Sequence, residues 1–251
     1  GNPMRIPRMV RDDQSKKDVT GWNTLVDVLR QVESRGNPDF TEAVFRQVLL
    51  EIFRRQKSLR FVYSLPPRIS LENALSLAHR FLDQKSGGDR SLALCGALFD
   101  AVGIHFGLYT KVDRARINAS DEATGQAADL ECVNAQGEII LAIEVKERTL
   151  TLTDIEGTLR KCRKRKIKDI FFAAPKTKKD EQSAIDERIA RAFASGQNLY
   201  VFDFFNLARS VLALGGENIR ITFLQKVGEH LDIWNTQPSH RQAWKNLLES
   251  L

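Results

Sequence analysis

Apolar side chains recur at helical spacing over the first 85 residues. Trp22, Leu25, Val26, Leu29 and Val32 fall on one face of a predicted helix, and Phe45, Val48, Leu49, Ile52 and Phe53 on one face of a second. Arg35-Gly36-Asn37-Pro38 separates the two with stop and turn chemistry. Ser70 is placed to cap a third helix that turns Leu71, Ala74, Leu75, Ala78, Phe81 and Leu82 inward. After the break at Ser86-Gly87-Gly88, Leu92, Leu94, Cys95, Leu98, Phe99 and Val102 predict a buried helix.

The period then changes from helical to alternating. Phe106, Leu108, Thr110 and Val112 alternate with His105, Gly107, Tyr109 and Lys111, which predicts a strand. Ala127 to Val133 and Glu138 to Glu147 read as two more strands, joined by the turn residues Asn134-Ala135-Gln136-Gly137. A helix is expected from Thr153 to about Lys168, opened by a capping box of Thr153 and Glu156. Ile170 to Ala174 predicts a short buried strand, Ile185, Ile189, Ala192 and Phe193 a helix, and Leu199 to Phe205 another strand. Asn206 can cap a helix ending at Gly215-Gly216. Ile219 to Leu224 suggests an extra strand, and Trp244, Leu247, Leu248 and Leu251 lie on a closing helix. The expected fold is α/β: a mixed β-sheet core flanked by helices, preceded by a helical region.

Composition narrows the class. At 251 residues and 42% hydrophobic, the chain can bury a substantial core. No apolar run is long enough for a membrane span, and the first residues lack the apolar core of a secretory signal. Three widely spaced cysteines and four scattered histidines offer neither a disulfide framework nor metal-ligand spacing. A reducing cytosol is the expected compartment. The net charge of +6 suits a polyanionic partner, although it is also ordinary solubilising charge.

Chemistry concentrates on the central hairpin. Alternation puts Ile139, Leu141, Ile143 and Val145 on one face, so Glu144 and Lys146 share the other; Asp129 and Glu131 share a face of the preceding strand. If the hairpin pairs as its turn suggests, Asp129 lies beside Glu144 and Lys146; the sequence leaves the register open. Two carboxylates offer hard oxygen ligands for Mg²⁺, and an ammonium can orient or help deprotonate an attacking water. Together they suit in-line hydrolysis of a phosphodiester. The same residues also suit a structural reading, an edge-strand ion pair of Lys146 with Asp129 or Glu144. Against it, flanking apolar helices should cover both faces, and unpaired buried acids are costly unless they bind something.

At these positions the chain resembles the PD-(D/E)xK nuclease superfamily: Asp129, Glu144 and Lys146 match its D…ExK pattern. The expected order of a helix, a three-stranded meander, a helix and a further strand also agrees. Ala128, where the superfamily often has proline, is a departure. Within the superfamily, Gly87-Gly88-Asp89-Arg90, Ile117-Asn118-Ala119-Ser120-Asp121 and Glu144-Val145-Lys146-Glu147-Arg148 are similar to SacI-type restriction endonucleases, over about residues 87–235. The resemblance implies that Asp129, Glu144 and Lys146 are catalytic, with Asp129 and Glu144 binding Mg²⁺ and Lys146 serving the water. Such nucleases often add an acid from the early helix, for which Asp100 and Glu72 are candidates, and Glu131 is either a supporting group or a solvent-facing acid.

Downstream, Arg160 to Lys168 holds seven basic residues in nine, either a DNA contact or a solvated helix end favoured by the helix dipole. Its position one helix after the acidic site favours DNA, with Lys161, Arg163, Lys164 and Arg165 as the contacts. Lys176, Lys178 and Lys179 form a second cluster. The resemblance thus implies a Mg²⁺-dependent type II restriction endonuclease of the prokaryotic cytoplasm. It would act on double-stranded DNA, most simply as a homodimer, because a twofold protein matches a palindromic site. Action on branched or modified DNA, and a non-cleaving DNA-binding module, are the alternatives. The expected organisation is a helical region over residues 1–86, a catalytic core over 87–216 and a C-terminal strand and helix over 217–251.

Overall fold

The computed structural model describes residues 9–58, 61–84, 86–114, 126–234 and 236–251, without the side chains of 55–58. The Ile117–Asp121 stretch that contributes to the resemblance lies outside them. The chain divides into two compact units, Gly1–Arg60 and Phe61–Leu251.

The first unit holds α1 (Val19–Arg35) and α2 (Pro38–Ser58). Asp18 caps α1 by accepting from the Gly21 N–H, and Gly36 ends it at φ +55°, a conformation that glycine adopts without steric cost. The apolar faces expected to form a core are only partly buried. Trp22 and Val26 are covered, whereas Leu25, Leu29 and the whole Phe45–Phe53 stripe are exposed. Two helices cannot enclose a face this wide by themselves.

The second unit is a mixed five-stranded sheet with helices on both faces, as the sequence predicts. In chain order it contains α3 (Leu71–Leu82), α4 (Asp89–Phe106), β1 (Lys111–Arg114), β2 (Leu130–Val133), β3 (Ile139–Val145), α5 (Leu152–Lys164), β4 (Asp169–Ala173), α6 (Gln182–Ala194), β5 (Asn198–Phe202), α7 (Phe204–Leu214), α8 (Gly216–Ile233) and α9 (Pro238–Glu249). Spatial order follows chain order, β1-β2-β3-β4-β5, with the first three strands antiparallel and β4 and β5 parallel to β3. One sheet face packs Ala142, Ile170 and Phe172 against Ile155 and Leu159 of α5 and Ile185 of α6. The other packs Leu130, Leu141 and Ile143 against Cys95 and Phe99 of α4. Behind α4, a helical core joins α3, α7, α8 and α9 around Phe81, Phe223 and Trp244.

Several local expectations need correction. The strand predicted over residues 105–112 starts later, as β1 at Lys111: His105 and Phe106 are the last turn of α4, which ends where Gly107 reaches φ +67° and its N–H bonds Gly103 O at 2.9 Å. Alternation over so few residues does not outweigh a helix already running and a glycine able to stop it. The Ile219–Leu224 strand lies within α8. Ile219, Phe223, Val227 and Leu231 recur every fourth residue on its buried side, a helical period that a short β-branched run obscured. The capping box sits two residues earlier than predicted: Thr151 accepts from Asp154 N, and the Asp154 carboxylate accepts from Thr151 N. Asp203, not Asn206, caps α7, which cuts β5 short at Phe202. Ile139 packs on the α5 face and not with Leu141. A register shift between Cys132 and Val133 inserts Ile140 and reverses the alternation there.

Candidate active site

The site forms where β3 runs out. Its seven residues keep Glu144 in register with Phe172 of β4, and the Lys146 N–H extends the ladder to Ala173 O at 2.8 Å. On the other side, Leu130 pairs with Ile143, so Asp129 lies one position further along and opposite Glu144. Asp129 Oδ2 accepts from the Val145 N–H at 2.8 Å, which ties the residue before β2 to the end of β3. Lys146 Nζ donates to Glu144 Oε1. Asp129, Glu144 and Lys146 are therefore together, as the open register allowed, at the carboxyl ends of the parallel strands, where sheets of this kind bind ligands.

Electrostatics confirm the crowding. Burial pushes the Glu144 carboxyl above its ordinary range, Asp129 adds to the shift, and Lys146 and Lys161 oppose it. Burial works against the Lys146 ammonium, but Glu144 and Asp129 outweigh it and leave the group above its ordinary value. The Lys146–Glu144 ion pair of the structural alternative is present, but on the central strand and with Glu144 8% exposed, not on a solvated edge. Glu131 lies on the same sheet face. It accepts from Ala127 N at 2.8 Å and from Arg165 Nη1, and burial raises its pKa against both. Between the sheet and α5, the Cys162 thiol is pushed up to about 12 by burial, then by Glu144 and Glu131.

Two convergent carboxylates suit a hard cation that retains waters and takes its remaining oxygens from a substrate. Among the described residues, no group of three or more His, Cys, Asp or Glu side chains is gathered around a common point. Asp129 and Glu144 are two carboxylates that could hold such an ion, and a divalent cation would relieve the repulsion between them. On the α4 side a cavity of about 380 Å³ is lined among others by Cys95, Val145, Lys146, Glu147, Pro175 and Phe204; of the three site residues, Lys146 reaches it, and Asp129 and Glu144 do not line it.

The early-helix acids do not reach this centre. Asp100 faces His230 of α8, Oδ2 to Nε2 at 2.9 Å, and Glu72 pairs with Arg209 on the surface. Glu147 does lie at the cavity, where its Oε1 accepts from Ser91 Oγ of α4. Its place in the Glu144–Arg148 run was visible in the sequence, but its bond to a residue 56 positions away was not. Arg114 carried no sequence signal. At the end of β1 it is buried against the Trp234 ring, 4.8 Å away, and pairs with Asp89 at the start of α4 at 2.7 Å.

The basic run divides by environment. Arg163 and Lys164, near the end of α5, are exposed, and Arg163 Nη2 reaches Gln197 Oε1 at 3.3 Å. Lys161 lies half-buried on the Glu144 side of α5. Arg165 is held by Glu131. No helix among the described residues is long and apolar enough to cross a membrane.

A family model described as the SacI restriction endonuclease C-terminal domain matches residues 68–175, a little under half of the chain. The matched span runs from α3 to the end of β4 and contains Asp129, Glu144 and Lys146. The resemblance expected from the D…ExK residues is thereby borne out: this span is similar to the C-terminal domain of the SacI restriction endonuclease. No curated protein matches the chain.

Proposed function

We propose that this protein, a SacI-type nuclease over residues 68–175, is a Mg²⁺-dependent type II restriction endonuclease that hydrolyses phosphodiester bonds at a specific site in double-stranded DNA. The observation that carries the reading is the convergence of Asp129, Glu144 and Lys146 at one strand end.

Asp129 and Glu144 would hold the Mg²⁺, whose chemistry is to lower the pKa of a water and offset charge developing on the phosphate. The chain's own parts do the rest. The Val145 N–H fixes the Asp129 carboxylate. Lys146, anchored through its backbone to β4, presents its ammonium beside Glu144, where it would orient a water for attack. Lys161, Arg163 and Lys164 lie along α5, whose Lys161 side neighbours Glu144, and would neutralise phosphates flanking the cut. Such contacts position a duplex without reading its bases. A restriction function places the protein in a prokaryotic cytoplasm.

Incubation with unmodified bacteriophage DNA and Mg²⁺, beside EDTA and Lys146→Ala controls, tests this. Discrete fragments that disappear in both controls are expected. A smear would overturn site specificity. Cleavage confined to branched or methylated duplex would replace the substrate, and salt-sensitive binding with no cleavage of any DNA would leave a binding module.

A further inference from the structure

The cavity on the α4 side is built entirely from the second unit, and Lys146 is its link to the cleavage centre. Its volume of about 380 Å³ is that of a small-molecule site. Cys95 and Val145 contribute to an apolar lining. Phe204 and Phe205, the first two residues of α7, add aromatic rings whose centres are 5.1 Å apart and whose planes stand at 78°. Three carboxylates also line the space, Asp83, Glu147 and Asp203, against one cation, Lys146.

We infer that this cavity takes one nucleobase, unstacked from the duplex beside the cut, and that it selects a base bearing an exocyclic amino group. The charge balance decides what enters. Three carboxylates repel a phosphate, so the sugar-phosphate chain stays at the Lys146 end. Nor do they suit a lone cation, because among the described residues no three such side chains gather around a common point. Spread along the wall, they serve instead as acceptors for a molecule with donors at its edge. Glu147 takes the Ser91 hydroxyl on Oε1, and Asp203 takes the Asn206 N–H on Oδ1. The second oxygen of each has no hydrogen bond among the described residues and is open to a ligand. Adenine, cytosine and guanine carry an amino donor, whereas thymine has a carbonyl oxygen in its place. Aromatic walls with acceptors beside them are what holds an extruded base.

The inference rests on the nuclease reading, which brings a phosphate to Lys146 and so a base to the mouth of the cavity. Seating that base draws its phosphate toward the ammonium, which makes selection of the base and alignment for attack one event. A strand that presents thymine there lacks the amino donor and is aligned less often.

Saturation-transfer difference NMR of the full chain with deoxyadenosine, deoxycytidine, deoxyguanosine and thymidine, each at millimolar concentration and without metal, tests the inference. At least one amino-bearing nucleoside should bind about tenfold more tightly than thymidine, the worth of one hydrogen bond to a charged group. Asp203→Asn retains a good cap for α7; combined with Asp83→Asn, it should erase the preference while leaving far-ultraviolet circular dichroism unchanged. Phe205→Ala should weaken binding by about fivefold or more through lost stacking. Binding of no nucleoside, equal binding of all four, or a preference that survives the double variant overturns the inference. Cleavage is not part of this readout, so the two readings fail separately. Nucleoside selection by a protein that cuts no DNA would sink the nuclease reading, and site-specific cutting by a protein that binds no nucleoside would sink the cavity assignment. In a duplex carrying the mapped site, 2-aminopurine, itself amino-bearing, should brighten at one position beside the cut in Ca²⁺ and stay dark with the double variant. Darkness at every position with the wild type would overturn extrusion.

Discussion

The Asp129 carboxylate is held by the Val145 backbone, Oδ2 accepting from the N–H at 2.8 Å. This bond lies one step past the last β2–β3 pair and uses one carboxylate oxygen to fix the geometry of the site. Asp129 has therefore two separable roles, as an acceptor for β3 and as a charge. Asp129→Asn keeps an oxygen acceptor and removes the charge, so its thermal stability should stay within about 1 kcal/mol of wild type. Its Mg²⁺-dependent cleavage should fall by about 100-fold or more, since metal electrostatics supply several kcal/mol and each 1.36 kcal/mol is tenfold. Thermal melts beside cleavage rates check both; equal activity in the Asn variant would remove Asp129 from the metal site.

Arg165 and Lys164 are neighbours in the basic run with different expected phenotypes. Arg165→Met strips the partner from Glu131, whose side chain is 5% exposed, and should cost about 1–3 kcal/mol of stability. Replacing Glu131 by Gln in the same chain should recover part of the loss, because the unpaired buried charge is then gone. Lys164→Ala should leave the melting temperature unchanged. Denaturant titrations of the three variants decide the matter.

Lys161, Arg163 and Lys164 should report on DNA through salt. Each phosphate contact removed is expected to lower the slope of log affinity against log salt by about 0.9. Fluorescence anisotropy with a duplex oligonucleotide in Ca²⁺ or EDTA, across a salt series, measures this. Unchanged slopes in all three alanine variants would return the run to the solvated helix end.

The start of α5 sets an acid-stability limb. Burial pushes the Asp154 carboxyl upward, but hydrogen bonds from Arg148 and Thr151 outweigh it and hold the group at about 2, against an ordinary value of 3.8. A carboxylate with a depressed folded-state pKa contributes stability that is fully present above its unfolded value and lost as pH falls through the folded one. The contribution should therefore persist above about pH 4 and disappear as pH falls to about 2. Asp154→Asn should flatten that limb in acid unfolding followed by circular dichroism. Thr151→Ala should cost about 0.5–2 kcal/mol at neutral pH, as loss of an N-cap does.

Much of this protein was legible in one dimension. Period-two alternation from Leu141 to Val145, a Gly137 turn at φ +82° and the acid-x-Lys spacing are local features, set by pleat geometry and by neighbours a few residues apart. They sufficed to place Glu144 and Lys146 on one face and to predict the sheet. What the tertiary structure decided were long-range choices among locally equivalent options. Thr151 and Thr153 both precede an acid by three residues, and the cap fell to Thr151, whose next residue, Leu152, donates its N–H to Glu181 at 2.7 Å from the far side of β4. Arg165 looked like its basic neighbours until Glu131, 34 residues earlier, was folded beside it. Phe45 to Phe53 had the spacing of a core face, yet spacing shows only that a face is apolar, not whether its own chain contains enough surface to cover it. Short-range sterics and hydrogen bonding are written in the order of the residues; pairing across tens of residues depends on which surfaces the whole chain brings together.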